Sequence, residues 1–348
     1  MIECRNITKF YKNLSAVKDF CLHIKEKEII SILGPSGCGK STLLRLIAGL
    51  ELPSKGKVFL YNQEISGKKI NLTPENRKFG MIFQDFTLFP HLSVKENIYL
   101  GLTGLKNEKI NRVNELLDLV NLPHLADKMP HQISGGEQQR IAVARALAPN
   151  PRLLLMDEPF SNLDFQLRQQ LRRDIRNLLK QQGVGAILVT HDQTEAITFS
   201  EKLILMNDGE LIQSGTPFEI YRYPKTTWAS SFVGEANLLQ TEWNGNFLNS
   251  SVGLFNIPTE IGEQTKNIMV RPEDFHIKSN TDNHSNGVIK NVEFLGPTQA
   301  IEVELKSGEI VNIACSPHFT LSKNKEVMIT AKRFLCFNNE GKRIDKLN

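Results

Sequence analysis

The run Glu28-Ile29-Ile30-Ser31-Ile32-Leu33, followed at once by Gly34-Pro35-Ser36-Gly37-Cys38-Gly39-Lys40-Ser41, constrains this chain more than any other segment. A mostly apolar run of this length reads as a strand buried on both faces, the kind found inside a parallel sheet. Helix is predicted from Lys40 through Leu46, stopping near Gly49, a suitable left-handed C-cap. Between strand and helix, the glycines let the backbone curl until its N–H groups face phosphates. Lys40 then places a point charge on the β/γ-phosphates, and the Ser41 hydroxyl ligates Mg²⁺. The predicted phosphate cradle is Gly34, Pro35, Ser36, Gly37, Cys38, Gly39, Lys40, Ser41 and Thr42. Cys38 reads there as a small packing residue, not a catalytic one.

A second glycine-rich turn, Ile133-Ser134-Gly135-Gly136-Glu137-Gln138-Gln139-Arg140, opens a helix with apolar positions at Ile141, Val143, Ala144 and Leu147. A helix start exposes unpaired N–H groups and a positive dipole end, so Ser134, Gly135 and Gly136 form a second anion site. One nucleotide rarely needs two such sites from one protomer. The pattern therefore predicts a composite site shared between two chains.

Leu153-Leu154-Leu155-Met156-Asp157-Glu158 ends a second buried strand in two carboxylates. Asp157 is expected to hold Mg²⁺ through a water, and Glu158 to polarise the attacking water. His191 follows an apolar strand ending at Thr190, and Asp192-Gln193-Thr194-Glu195 reads as a capping box for the next helix. A lone histidine more often serves structure than chemistry, but at a sheet's C-terminal edge it can reach a γ-phosphate. Gln84, after Ile82-Phe83, is a single amide with little signal of its own. Tyr11 offers a face for adenine, although a surface or core tyrosine is the commoner outcome.

At 348 residues, two domains are expected. Apolar content of 40% and charged content of 23% are those of a soluble globular protein. The net charge of +4, from 42 basic and 38 acidic residues, gives no push toward nucleic acid. No apolar run approaches the roughly 20 residues a bilayer requires, and Met1-Ile2-Glu3-Cys4-Arg5 lacks a signal-peptide pattern. The five scattered cysteines include no CxxC pair, which reads as reduced thiols in the cytoplasm. Residues 91–130 read as helical, and Leu153–Met156 and Ala186–Val189 as buried strands each followed by helix. The expected first domain, residues 1–235, is thus α/β with a mainly parallel sheet and a helical insertion at about 86–150. Beyond residue 235, short alternating runs at Ile268–Val270, Gly287–Phe294, Ala300–Leu305 and Glu326–Ala331 predict an all-β domain, a small barrel, over 236–348.

The order of motifs (phosphate loop, Gln84, Ser134-Gly135-Gly136, Asp157-Glu158, Ser161-Asn162-Leu163-Asp164, His191) resembles the ATP-binding subunits of ABC transporters over nearly the whole chain. The resemblance implies an ABC ATPase fold, with an antiparallel β subdomain beside the parallel sheet and the helical subdomain. It implies ATP with Mg²⁺ at Ser41, Gln84 and Asp157, catalysis by Glu158, His191 and Lys40, and Tyr11 as the adenine-stacking aromatic. It assigns Gln84 to sensing transmembrane partners, Ser161–Asp164 to coupling two sites, with Asp164 among the nucleotide-binding residues, and His191 to a switch. Glu137 stands where this family usually has Gln. Asp208-Gly209-Glu210, Tyr221-Arg222-Tyr223-Pro224 and Val270-Arg271-Pro272-Glu273-Asp274 resemble binding-protein-dependent importers with an OB-like regulatory domain.

Within that group, Leu88-Phe89-Pro90-His91-Leu92-Ser93-Val94 and Phe232-Val233-Gly234-Glu235-Ala236-Asn237 look most like ferric-iron importer ATPases, with polyamine, sulfate or sugar importers as alternatives. The implied partners are a second copy of the chain, integral-membrane permease subunits and, indirectly, a periplasmic or lipid-anchored binding protein. The implied place is the cytoplasmic face of the inner membrane. A soluble ABC ATPase acting on ribosomes or DNA is a distant alternative, because there is one phosphate loop and no heptad run. A nucleic-acid role for the β-domain would want basic residues interleaved with exposed aromatics, and Lys and Arg are dispersed.

Overall fold

The computed structural model describes residues 1–83, 88–161, 164–279, 285–319 and 321–344. It divides into two compact units, Met1–Pro217 and Phe218–Asn348.

The first unit opens with β1 (Ile2–Tyr11), β2 (Leu14–Ile24) and β3 (Ile29–Leu33). It continues through α1 (Lys40–Ala48), β4 (Lys55–Leu60), β5 (Gln63–Ser66), α2 (Pro74–Arg77) and β6 (Phe79–Ile82). A helical stretch follows, with α3 (Val94–Tyr99), α4 (Lys106–Leu119) and α5 (Gly135–Leu147). Then come β7 (Leu153–Asp157), α6 (Phe165–Gln182), β8 (Gly185–Thr190), α7 (Gln193–Phe199), β9 (Lys202–Asn207) and β10 (Glu210–Gly215).

Six strands form one sheet in the order β10-β9-β3-β8-β7-β6, parallel except for the edge strand β10. Every residue of β3, β7 and β8 is buried, as their unbroken apolar runs predict. Alternate side chains serve opposite faces. Ile30, Ile32 and Leu155 join α1 residues Leu43, Leu44 and Ile47 and the antiparallel sheet β2-β1-β4-β5 in one core. Ile29, Leu154 and Met156 join Val113, Leu116, Ile141 and Val143 of the helical stretch in the other. This layering leaves the carboxyl ends of β3, β7 and β8 together at one edge, where ligands of such sheets bind.

Helix α1 runs two residues past the expected Leu46 and closes on Gly49, whose φ of 84° is the left-handed cap anticipated there. Its final carbonyls have a partner the sequence did not reveal. Arg77 is fully buried and donates to Leu46 O at 3.1 Å and Ile47 O at 2.6 Å, and also to Leu72 O and Asn71 Oδ1. A cation placed against a helix C-terminus complements the dipole. Burial nonetheless pushes its pKa down to about 10.

The second unit holds the remainder of α8 (Pro217–Arg222), α9 (Thr227–Val233), β11 (Asn237–Trp243), β12 (Leu248–Ser250), β13 (Gly253–Phe255) and α10 (Thr259–Gln264). β14 (Asn267–Val270), β15 (Phe275–Ser279), β16 (Gly287–Phe294), β17 (Gln299–Leu305), β18 (Ile310–Cys315), β19 (Glu326–Ala331) and β20 (Leu335–Phe337) complete it. The all-β region is two five-stranded antiparallel sheets, β13-β12-β11-β14-β20 and β15-β19-β16-β17-β18, over a core of Leu239, Ile268, Val270, Ile301, Val303 and Ile329. The division at 217/218 lies upstream of the expected 235/236. Residues 218–235 are bound to the β-region by buried Arg271, which donates to Tyr221 O and Ser230 O at 2.8 Å, Gly234 O at 3.1 Å and Glu235 O at 2.8 Å.

Candidate functional site

The phosphate loop follows β3 and feeds α1. Gly37 and Gly39 take φ of 79° and 103°, a region L side chains rarely adopt. A Cβ on Gly39 would also lie 2.0 Å from Ala16 O, so only glycine fits. The Lys40 ammonium is held inside the loop by Gly34 O and Pro35 O, each at 2.8 Å. Cys38 is buried, its Sγ lies 4.0 Å from Lys40 Nζ, and burial pushes its thiol pKa up. Tyr11, Ala16, Ser36, Gly37, Gly39, Lys40, Ser41, Thr42 and Glu158 line one cavity of about 300 Å³, joined by Leu14.

Ser41 Oγ donates to Asp157 Oδ1 at 2.8 Å, which joins the loop to the end of β7. Burial raises the Asp157 carboxyl above the usual aspartate range, opposed by the Ser41 hydrogen bond and by Arg45. The next residue, Glu158, takes φ of 47°. A left-handed non-glycine residue costs roughly 1–2 kcal/mol and such strain clusters at functional positions. The turn is fixed by Glu158 N donating to Val189 O at 2.9 Å. It aims the carboxylate into the cavity and at His191, with Glu158 Oε2 and His191 Nδ1 3.1 Å apart.

Tyr11 is oriented by a residue sequence reasoning missed. Its hydroxyl donates to Glu51, which also pairs with Lys9 at 3.3 Å, and the Lys9 ammonium lies 5.0 Å from the Tyr11 ring centroid. Tyr11 is 41% exposed, enough to offer a face at the cavity.

The expected capping box after His191 forms only in part. Asp192 caps α7 by accepting from Glu195 N at 2.8 Å. The Glu195 carboxylate does not return to Asp192 N. It is buried against Thr190, whose hydroxyl donates to Glu195 Oε2 at 2.6 Å and accepts from Asp192 N at 3.0 Å. Arg168 of α6 then spans this group and the loop after β7. Its guanidinium lies 3.6 Å from Asp192 Oδ2 and 3.9 Å from Glu195 Oε1, and donates to Ser161 O at 3.4 Å. The signal was the i, i+4 pair Arg168 and Arg172 on α6, beside the acidic start of α7.

Ser134 caps α5, and a full capping box with Glu137 is present. Gly136 is buried, and a Cβ there would strike the Leu167 side chain of α6 at 2.6 Å. Buried Gln139 donates to Pro159 O, which ties α5 to the loop carrying Glu158. Ser134, Gly135 and Gly136 are not among the residues lining the cavity around the phosphate loop. Asp164 acts as the N-cap of α6, accepting from Leu167 N at 2.9 Å. Gln84, and Asn162-Leu163 of the Ser161–Asp164 loop, lie outside the described residues.

The family described as ABC transporter matches residues 17–161, and the TOBE domain matches residues 268–333. The chain is 38% identical over 345 residues to Fe(3+) ions import ATP-binding protein FbpC 2 of Haemophilus influenzae, covering 95% of this chain and 96% of that protein. It is 42% identical over 330 residues to spermidine/putrescine import ATP-binding protein PotA of Thermotoga maritima, covering 90% and 89%. The dimeric post-hydrolysis structure of the ATP-binding cassette MJ0796 bound to ADP and Pi aligns with a TM-score of 0.56 at 35% identity, over 62% of this chain and 99% of that one. CbiO1 of Clostridium perfringens, part of the ABC transporter complex cbiONQ, aligns with a TM-score of 0.60 at 28% identity, over 64% and 90%.

Proposed function

The chain belongs to the ATP-binding proteins of the ABC transporter family, and from that membership we propose that two copies hydrolyse ATP to power uptake of ferric iron across a bacterial inner membrane. The observation that carries this reading is the convergence of Lys40, Ser41, Asp157, Glu158 and His191 at one sheet edge, with the Ser134 helix cap outside that cavity. Each ATP is assigned to the phosphate loop of one chain and the Ser134 turn of the other.

In this reading the loop N–H groups and Lys40 bind the β/γ-phosphates. Glu158 accepts a proton from the attacking water, and its left-handed backbone holds the carboxylate in place. His191, fixed on Glu158, faces the γ-phosphate and donates to it as charge develops. Ser41 Oγ and the Asp157 carboxylate are an all-oxygen donor pair of the kind Mg²⁺ takes together with phosphate oxygens, and Gln84 is assigned to the same ion. The ion, when bound, neutralises phosphate charge.

Among the described residues no helix is long and apolar enough to cross a membrane. Movement of cargo is therefore assigned to permease subunits, fed by a periplasmic or lipid-anchored binding protein, with this chain at their cytoplasmic face. We assign permease docking to the surface from Gln84 to Asn97, whose described part includes Phe89, exposed and stacked edge-on against His91.

Ferric iron is preferred because the import proteins named for it span nearly the whole chain at 37–38% identity. Polyamine import is the second reading, supported by the 42% identity to PotA. Uptake of radiolabelled ferric citrate and of labelled spermidine, with and without this gene, separates the two. Loss of iron uptake alone is expected, and loss of spermidine uptake alone overturns the cargo assignment.

A further inference from the structure

Ser134 offers an incoming phosphate its backbone N–H and one hydroxyl proton. Both already point at a single acceptor. Ser134 N donates to Glu137 Oε2 at 2.7 Å, and Ser134 Oγ donates to the same oxygen at 2.8 Å. The Glu137 carboxylate is thus the anion that sits on the positive end of α5, and these bonds from Ser134 hold it below the usual carboxylate range. Among the described residues it has no ion pair. Arg140, one turn along the same helix, is committed to Asp174 at 2.8 Å. Arg140 and His124 act on the Glu137 charge only from a distance, so it stands beside the turn without an ion pair.

Resting on the reading above, in which Ser134 meets the γ-phosphate held by the second copy, we propose that Glu137 competes with that phosphate for Ser134 and so sets the ATP concentration at which two chains close. Closure exchanges charge-assisted Ser134–Glu137 hydrogen bonds for Ser134–phosphate ones and brings two like charges together. Both effects oppose closure and favour reopening after hydrolysis. A neutral side chain at residue 137 would still cap the turn, but with weaker hydrogen bonds and no like charge to oppose closure.

Glutamine serves a capping box as well as glutamate, so Glu137→Gln keeps the cap and removes the charge. The test uses the full chain carrying Glu158→Gln, to retain ATP, with dimer formation followed by sedimentation velocity against ATP concentration. Adding Glu137→Gln is expected to lower the ATP concentration for half-dimerisation by about two- to tenfold at low salt. The gap between the two chains is expected to narrow at about 0.5 M NaCl, where the Debye length is only a few ångströms. Half-dimerisation at the same or a higher ATP concentration overturns the proposal, as does a gap that salt does not change. Ser134→Ala in the same background separates the two readings. If it dimerises as readily as its parent, the shared-site reading fails. If it is impaired while Glu137→Gln shows no gain, only the competitor role fails.

Discussion

His191 Nδ1 lies 3.1 Å from the carboxylate of Glu158, a residue whose φ of 47° places it in the left-handed region. The backbone conformation and the imidazole together fix one carboxylate at the mouth of the phosphate cavity. Glu158→Gln is expected to lower kcat by about 10²- to 10⁴-fold, the usual worth of a general base, while ATP affinity is retained. Steady-state hydrolysis with filter binding checks this, and turnover within about tenfold of the parent removes Glu158 as the base.

The Arg168–Asp192–Glu195–Thr190 group joins the loop after β7 to the segment bearing His191. Arg168 is a positioning residue in this scheme, because it acts on His191 through its neighbours. Arg168→Met is expected to lower kcat by about tenfold or more through misplacement of His191, with KM for ATP little changed and part of the loss restored by Arg168→Lys. A rise in KM with unchanged kcat would place Arg168 in nucleotide binding instead.

Asp157 gives a pH dependence with a definite sign. Burial raises its folded-state pKa above the unfolded value, so it takes up a proton at higher pH than an ordinary aspartate. Metal ligation needs the ionised form. Mn²⁺ affinity, measured by electron paramagnetic resonance as a stand-in for Mg²⁺, is therefore expected to fall as pH drops towards the raised pKa. The stability contribution of the same group runs the other way. It is fully present below the unfolded pKa and is lost as pH rises through the folded pKa. Acid loss of metal through Asp157 is thus expected without loss of fold, and affinity unchanged down to the range of an unperturbed aspartate would contradict it.

Much of the site was legible because short, contiguous words carry it. The strand before Gly34, the cap at Gly49 and the carboxylates ending β7 all follow from local patterning. What stayed hidden depends on residues distant in sequence that meet only after folding. Arg77 caps α1 from some 30 residues away, Glu51 orients Tyr11 from 40, and Glu195 turns to Thr190 instead of completing its own cap. Buried arginines are especially hard to foresee, since charge in a sequence normally marks surface. The division into compact units at 217/218 was hidden for the same reason, because Arg271 gathers four carbonyls from residues 221–235.

Arg77 yields a stability prediction. Arg77→Met leaves the carbonyls of Leu46 and Ile47 without their buried donor, at roughly 1–3 kcal/mol for each unsatisfied group. A loss of about 3 kcal/mol in urea unfolding of the first unit is expected. Arg77→Lys recovers little of it, because an ammonium cannot reproduce the planar fork. Unfolding unchanged within about 0.5 kcal/mol would show that the cap is dispensable.

The shared site is tested most directly by mixing two crippled chains. Glu158→Gln lacks the base but keeps its Ser134 turn, and Ser134→Ala lacks the turn but keeps its base. If each ATP lies between two chains, a mixed dimer regains one complete site, and an equal mixture should hydrolyse ATP at about a quarter of the unmutated rate. Activity no greater than the average of the two variants measured separately would mean that each chain completes its own site.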